Sequence, residues 1–124
     1  MSESGNPRLA DYLRHVHDAI LRISRYVENI DEAGFLADEK TQDAVIRNFE
    51  IIGEPSNNIV SRFGEFATLH PEVPWSLAYE MRNALSHGYF KVDLAIVWRT
   101  IRNDLPPLRE QVARLLAQKP TPCA

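Results

Sequence analysis

The chain has 124 residues, is 44% hydrophobic and carries a formal net charge of -3, which bounds it to one domain around a single core and gives it no overall basic field to attract a polyanion. A nucleic acid would have to be held by a local patch, and eleven of the fourteen basic residues are arginines, the type whose planar fork pairs phosphate oxygens. The lone cysteine, Cys123, excludes an internal disulfide or a cysteine metal cluster.

From the start, Met1 to Pro7 contains no basic segment followed by an apolar core, and no later stretch approaches the ~20 apolar residues of a bilayer span. A cytoplasmic protein with no membrane partner is expected. Leu9, Leu13, Val16, Ile20, Ile23, Val27 and Ile30 then recur at intervals of four and three, a heptad-like stripe that predicts one long helix from about Pro7 to Ile30. Asp31 to Asp38 holds a glycine and several acids and reads as a connection. Thr41 can cap a second helix carrying Val45, Phe49, Ile52 and Ile59, with a kink expected at Pro55. Phe63 to Pro74, with Gly64, His70, Pro71 and Pro74, reads as a loop. A third, short helix is predicted over Trp75 to Ser86, a fourth over Leu94 to Asn103, and a fifth from Pro106 to about Gln118. A disordered tail is expected at about 119–124. No segment alternates apolar and polar residues for long enough to argue for a sheet. The predicted fold is all-α, an up-and-down bundle of four to five helices forming a single domain over 1–124.

The chemistry concentrates in Arg82-Asn83-Ala84-Leu85-Ser86-His87-Gly88-Tyr89. Arginine is a permanent cation shaped for phosphate, and histidine can take and give protons near neutrality, so these are the parts of a phosphodiester site that needs no metal. On a regular helix Arg82 and His87 point roughly 140° apart, whereas Asn83 and His87 are i, i+4 neighbours. Arg82 and His87 converge only if the helix stops, and Gly88 supplies the stop, leaving His87 in a last turn where the helix dipole favours imidazolium. Spacing alone accommodates equally an Arg82 surface ion pair and a His87 that caps carbonyls.

Elsewhere the signals are weaker. His15, His17 and Asp18, with Asp11 one turn earlier, do not form a metal set, because residues two apart on a helix diverge by roughly 200°. There is no P-loop, glycine-rich dinucleotide turn or G-x-S-x-G motif. Tyr12, Tyr26, Phe49, Trp75 and Trp98 sit at helical core spacing and read as packing rather than base-stacking groups. No cofactor is expected.

R-x4-H-x-Y at the end of the third predicted helix resembles the HEPN superfamily, and within it the HepT-like toxins of the HepT/MntA (HEPN/MNT) toxin–antitoxin systems. Three other stretches are similar: Arg47-Asn48-Phe49-Glu50-Ile51-Ile52-Gly53-Glu54; Pro74-Trp75 with Met81-Arg82-Asn83; and Tyr89-Phe90-Lys91-Val92-Asp93 leading into Ile96-Val97-Trp98. Together they cover most of the chain. The resemblance implies a dimeric helical endoribonuclease neutralised by an MntA-like minimal nucleotidyltransferase that adenylylates the motif tyrosine, here Tyr89.

RNA supplies its own nucleophile in the 2′-hydroxyl, so the expected reaction needs a base for that proton, an acid for the 5′-oxygen and a cation on the phosphorane. Arg82 and His87 are the expected catalytic residues. In a homodimer, one His87 would act as base and its partner as acid, leaving a 2′,3′-cyclic phosphate. Asn83 would orient His87 or bind phosphate. Asn48, Glu50 and Glu54 of the second predicted helix are candidate supporting groups, and which of them faces the site cannot be read from spacing. The alternative is a HEPN interaction module, catalytically inactive, that binds a nucleotidyltransferase or a nucleotide.

Overall fold

A computed structural model describes residues 6–76, 81 and 93–118. The described residues form six helices and no strand: α1 (Pro7–Tyr26), α2 (Glu32–Ala37), α3 (Glu39–Arg62), α4 (Gly64–Leu69), α5 (Leu94–Asn103) and α6 (Leu105–Gln118). The all-α expectation holds, and the number of helices exceeds the predicted four to five because two short ones occupy segments read as connections.

α1 starts where Asn6 accepts a hydrogen bond from the Arg8 amide at 2.8 Å and Pro7 occupies the first helical position. Its apolar stripe from Leu9 to Ile23 is buried, but the helix stops at Tyr26 rather than Ile30. Beyond it the Glu28 amide bonds the Arg25 carbonyl and the Ile30 amide bonds the Val27 carbonyl, i→i+3 contacts that tighten the end into turns. Val27 and Ile30 still reach the core from those turns, so their burial extends the stripe past the helix itself.

The expected connection at Asp31 to Asp38 contains α2. Asp31 caps it by accepting from the Gly34 amide at 2.8 Å. A Cβ at Gly34 would meet Asp31 Oδ1 and Ile30 Cβ at 3.3 Å each, so glycine at this position lets the cap close tightly. The helix buries Phe35 completely against Trp98, ring centroids 5.3 Å apart, and Gln42 of α3 donates back to the Phe35 and Leu36 carbonyls. Phe35 joins α2 to the core and to α5, so Phe35→Ala is expected to cost about 3–5 kcal/mol, read as a lowered urea midpoint at unchanged slope.

α3 is capped by Asp38, not Thr41. The Thr41 amide donates to Asp38 Oδ1 at 3.1 Å and the Thr41 hydroxyl to Oδ2 at 2.6 Å. These bonds hold the Asp38 carboxyl below its usual range. The cap is thus fully made above the ordinary aspartate pKa and is lost only as pH falls through the lowered value. The helix continues through Pro55 to Arg62, with Ser56 Oγ donating to the Ile52 carbonyl at 2.8 Å.

The expected loop at Phe63 to Pro74 contains α4, which has no side-chain cap and is held by burial of Phe66. Its uncapped glycine start hid it. Trp75 is buried and donates from Nε1 to the His70 carbonyl at 3.2 Å. Of the helix predicted over Trp75 to Ser86, residues 75, 76 and 81 are helical, and the remainder lies outside the described residues. α5 has the predicted bounds, capped by Asp93, which accepts from the Ala95 and Ile96 amides. α6 starts at Leu105, one residue before the predicted Pro106, and the tail at 119–124 lies outside the described residues.

Among the described residues α1 and α3 form the most extensive seam, α6 packs on α1, and α5 bridges α6 and α2. Arg22 meets Asn48, whereas Tyr12 shares a cleft with Asn58, so α1 and α3 run antiparallel. None of the described helices is long and apolar enough to cross a membrane.

Candidate functional site

Of the predicted site residues, Asn48, Glu50 and Glu54 are described; Arg82, Asn83, His87 and Tyr89 lie outside the described residues. The chain enters the motif at Met81, which is half-buried and lines a small cavity with Phe49 and Ile52 of α3 and with Thr100, Asp104 and Leu105 at the α5–α6 joint. The residue before Arg82 therefore lies against the apolar face of α3, opposite the face that carries Glu50 and Glu54.

Those three groups do not share one face. Asn48 is only 4% exposed and sits in the seam. Its Oδ1 accepts from Arg22 Nε at 2.7 Å, and its Nδ2 donates to the Ala44 carbonyl at 2.9 Å. Both ends of the amide are occupied, which fixes its orientation and holds Arg22 by one edge of the guanidinium. Asn48→Ala would leave the Arg22 Nε–H partly buried without its acceptor, and a loss of about 1–3 kcal/mol in urea unfolding is expected.

Glu50 and Glu54, one turn apart, instead line an open cleft of about 430 Å³ between α1 and α3. Arg47, Ile51, Pro55 and Asn58 complete the α3 side, and Tyr12 and His15 the α1 side. Arg47 pairs with Glu50 at 3.6 Å. Tyr12 is half-buried, its ring edge-on to Phe63 at a centroid distance of 6.2 Å. The expectation that the aromatics are packing groups holds for Phe49, Trp75 and Trp98, all buried, and for Tyr12, which packs against the core while also lining the cleft, but Tyr26 is 40% exposed. His17 and Asp18 are not in the cleft wall, and among the described residues no three His, Cys, Asp or Glu side chains are grouped to hold a metal ion.

Two features escaped the sequence reading. Arg22 meets Asn48 across 26 residues, with no local pattern to announce it. The cleft did leave a signal: Arg47, Glu50, Glu54 and Asn58 recur at spacings of three and four, opposite the apolar face of Val45, Phe49, Ile52 and Ile59.

An all-α chain with polar groups on one face of α3 and an R-x4-H-x-Y run entered beside that helix fits a helical ribonuclease scaffold. The family described as "Ribonuclease HepT-like" matches residues 16–115, and the chain belongs to it, within the HEPN superfamily. The matched region includes Arg82 to Tyr89 and the three α3 groups. Among similar proteins, "Probable ribonuclease HepT" of Thermococcus cleftensis is 44% identical over 105 residues, covering 85% of this chain and 93% of that one. A protein of Caldanaerobacter subterraneus subsp. tengcongensis named "Putative RNase" is 34% identical, covering 87% of this chain and 94% of its own. The Methanocaldococcus jannaschii protein "Gamma-glutamylcyclotransferase and putative RNase" is 36% identical, covering 86% of this chain and 47% of its own length. No solved structure matches.

Proposed function

We propose that the chain is a metal-independent endoribonuclease, the toxin of a type VII toxin–antitoxin system, acting through Arg82 and His87 at a homodimer interface. The observation that carries this reading is the intact R-x4-H-x-Y run inside the family match at residues 16–115.

In this mechanism a His87 imidazole takes the proton of an RNA 2′-hydroxyl, whose oxygen attacks the adjacent phosphorus. The P–O5′ bond breaks, and the imidazolium of the partner's His87 donates its proton to the departing 5′-oxygen. The product is a 2′,3′-cyclic phosphate. Arg82 places two N–H donors on the non-bridging oxygens, where charge grows in the transition state. Asn83 orients His87 or bonds the phosphate. Regulation enters at Tyr89. An MntA-like minimal nucleotidyltransferase would transfer an adenylyl group from a nucleoside triphosphate to the phenol oxygen, releasing pyrophosphate, and the added phosphate and base would block RNA by charge and bulk.

Labelled RNA incubated with the purified chain in EDTA tests the reading. Loss of substrate with cyclic-phosphate ends is the expected result. An inert unmodified protein would favour the alternative, an interaction module that binds a nucleotidyltransferase or nucleotide.

A further inference from the structure

The α1–α3 cleft has a lining ill-suited to a phosphate and well suited to a nucleobase. Two carboxylates, Glu50 and Glu54, stand in its wall and would repel a bare phosphodiester. Arg47 offsets Glu50 from 3.6 Å, but Glu54 has no hydrogen bond or ion pair among the described residues. One turn further along α3, the half-buried side-chain amide of Asn58 is likewise without a partner among them. Between the two lies Pro55, which has no N–H to give the carbonyl of Ile51, itself a cleft residue. Opposite stand Tyr12, braced edge-on by Phe63, and His15, two rings on successive turns of α1. A cleft of about 430 Å³ falls within the range of small-ligand sites, roughly 300–1,000 Å³.

We infer that this cleft is a nucleobase subsite and that the base it selects is guanine. Guanine presents two adjacent donors, N1–H and the N2 amino group, beside the O6 acceptor. A carboxylate accepts both donors in a fork, so Glu54 takes N1–H and N2–H while the Asn58 amide donates to O6. No other RNA base offers that pattern. Uracil flanks its single N–H with two carbonyls that a carboxylate repels, while adenine and cytosine set a ring-nitrogen acceptor beside their amino donor. Tyr12 and His15 supply the stacking surface on which single-stranded RNA bases are held. The subsite rests on the ribonuclease reading and deepens it by giving the RNA a base preference, but base binding itself does not require cleavage.

The test titrates the full chain with the 5′-monophosphates of guanosine, inosine, adenosine, uridine and cytidine, followed by NMR, and in parallel compares cleavage of oligonucleotides that differ by one guanine-to-adenine exchange. Guanosine monophosphate is expected to bind at least roughly tenfold more tightly than adenosine, uridine or cytidine monophosphate, with inosine between because it lacks the N2 amino group. Glu54→Gln, nearly isosteric and exposed, is expected to erase the guanosine-to-adenosine ratio. Asn58→Asp is expected to erase it independently by placing a charge against O6. Equal binding of all five nucleotides, or a ratio unchanged in both variants, overturns the subsite. Guanosine selectivity without RNA cleavage leaves the subsite standing and removes the ribonuclease reading. Cleavage with no base bias and no selective nucleotide binding does the reverse.

Discussion

His87→Ala is expected to lower RNA cleavage by a factor on the order of 10²–10⁴, the contribution of one positioned acid–base group, with helix content and dimerisation retained. The retention follows from the predicted place of His87 at a helix end, where a side chain adds little to the core; a melted or monomeric variant would make the residue structural. The larger effect appears on mixing. If each composite site takes one imidazole as base and the other as acid, a heterodimer of wild-type and His87→Ala chains lacks one proton-transfer group at every site. Activity should then fall below the wild-type fraction and trace a curve that sags beneath the straight line as the variant is added. A straight line, with subunit exchange confirmed by mass spectrometry, would place the whole reaction within one chain.

Arg82→Lys should damage cleavage nearly as much as Arg82→Ala. Lysine keeps the positive charge, so a site that needed only charge would tolerate it. On the proposed mechanism the variant would lose the rigid fork that pairs two phosphate oxygens in the transition state, and a more strongly hydrated ammonium replaces that fork poorly. The loss should appear in kcat and kcat/KM together, since the interaction strengthens as the phosphorane forms. Full activity in Arg82→Lys would reduce Arg82 to a point charge.

The long elements were legible from the chain because their period is reinforced many times over. α1 repeats its apolar residue through five turns, and α5 is delimited by an aspartate cap at Asp93 and the change of composition at Asn103. α2 and α4 are each 6 residues long, too short to show a period, and each is held by a single buried phenylalanine: Phe35 meets Trp98 far along the chain, and Phe66 packs beside His70 and Trp75 in the segment that follows its helix. Composition therefore assigned them to loops. The candidate groups of α3 divide for the same reason. The residue type of Asn48 suggests a site, but Arg22, remote in sequence, draws it into the seam, whereas Glu50 and Glu54 follow the polar period of their helix into the cleft. The motif could be recognised without tertiary information because its residues are consecutive in sequence.

The dominance of the α1–α3 seam also bears on how the protein is made. All the residues of that seam have been translated by Arg62, before the ribosome reaches Arg82, and the two helices are separated in sequence only by α2 and its short flanks. The seam contacts nearest the turn between the two helices span the least chain and lose the least entropy on closing, and N-terminal segments of a nascent chain begin to organise first. The scaffold can thus begin to assemble as a helical hairpin while the phosphodiester motif is still unmade. Completion waits for α6 to close over α1, an event that requires residues up to Gln118. For a ribonuclease synthesised amid the cell's RNA, this order postpones the closing of α6 over α1 until after Arg82 to Tyr89 have been translated.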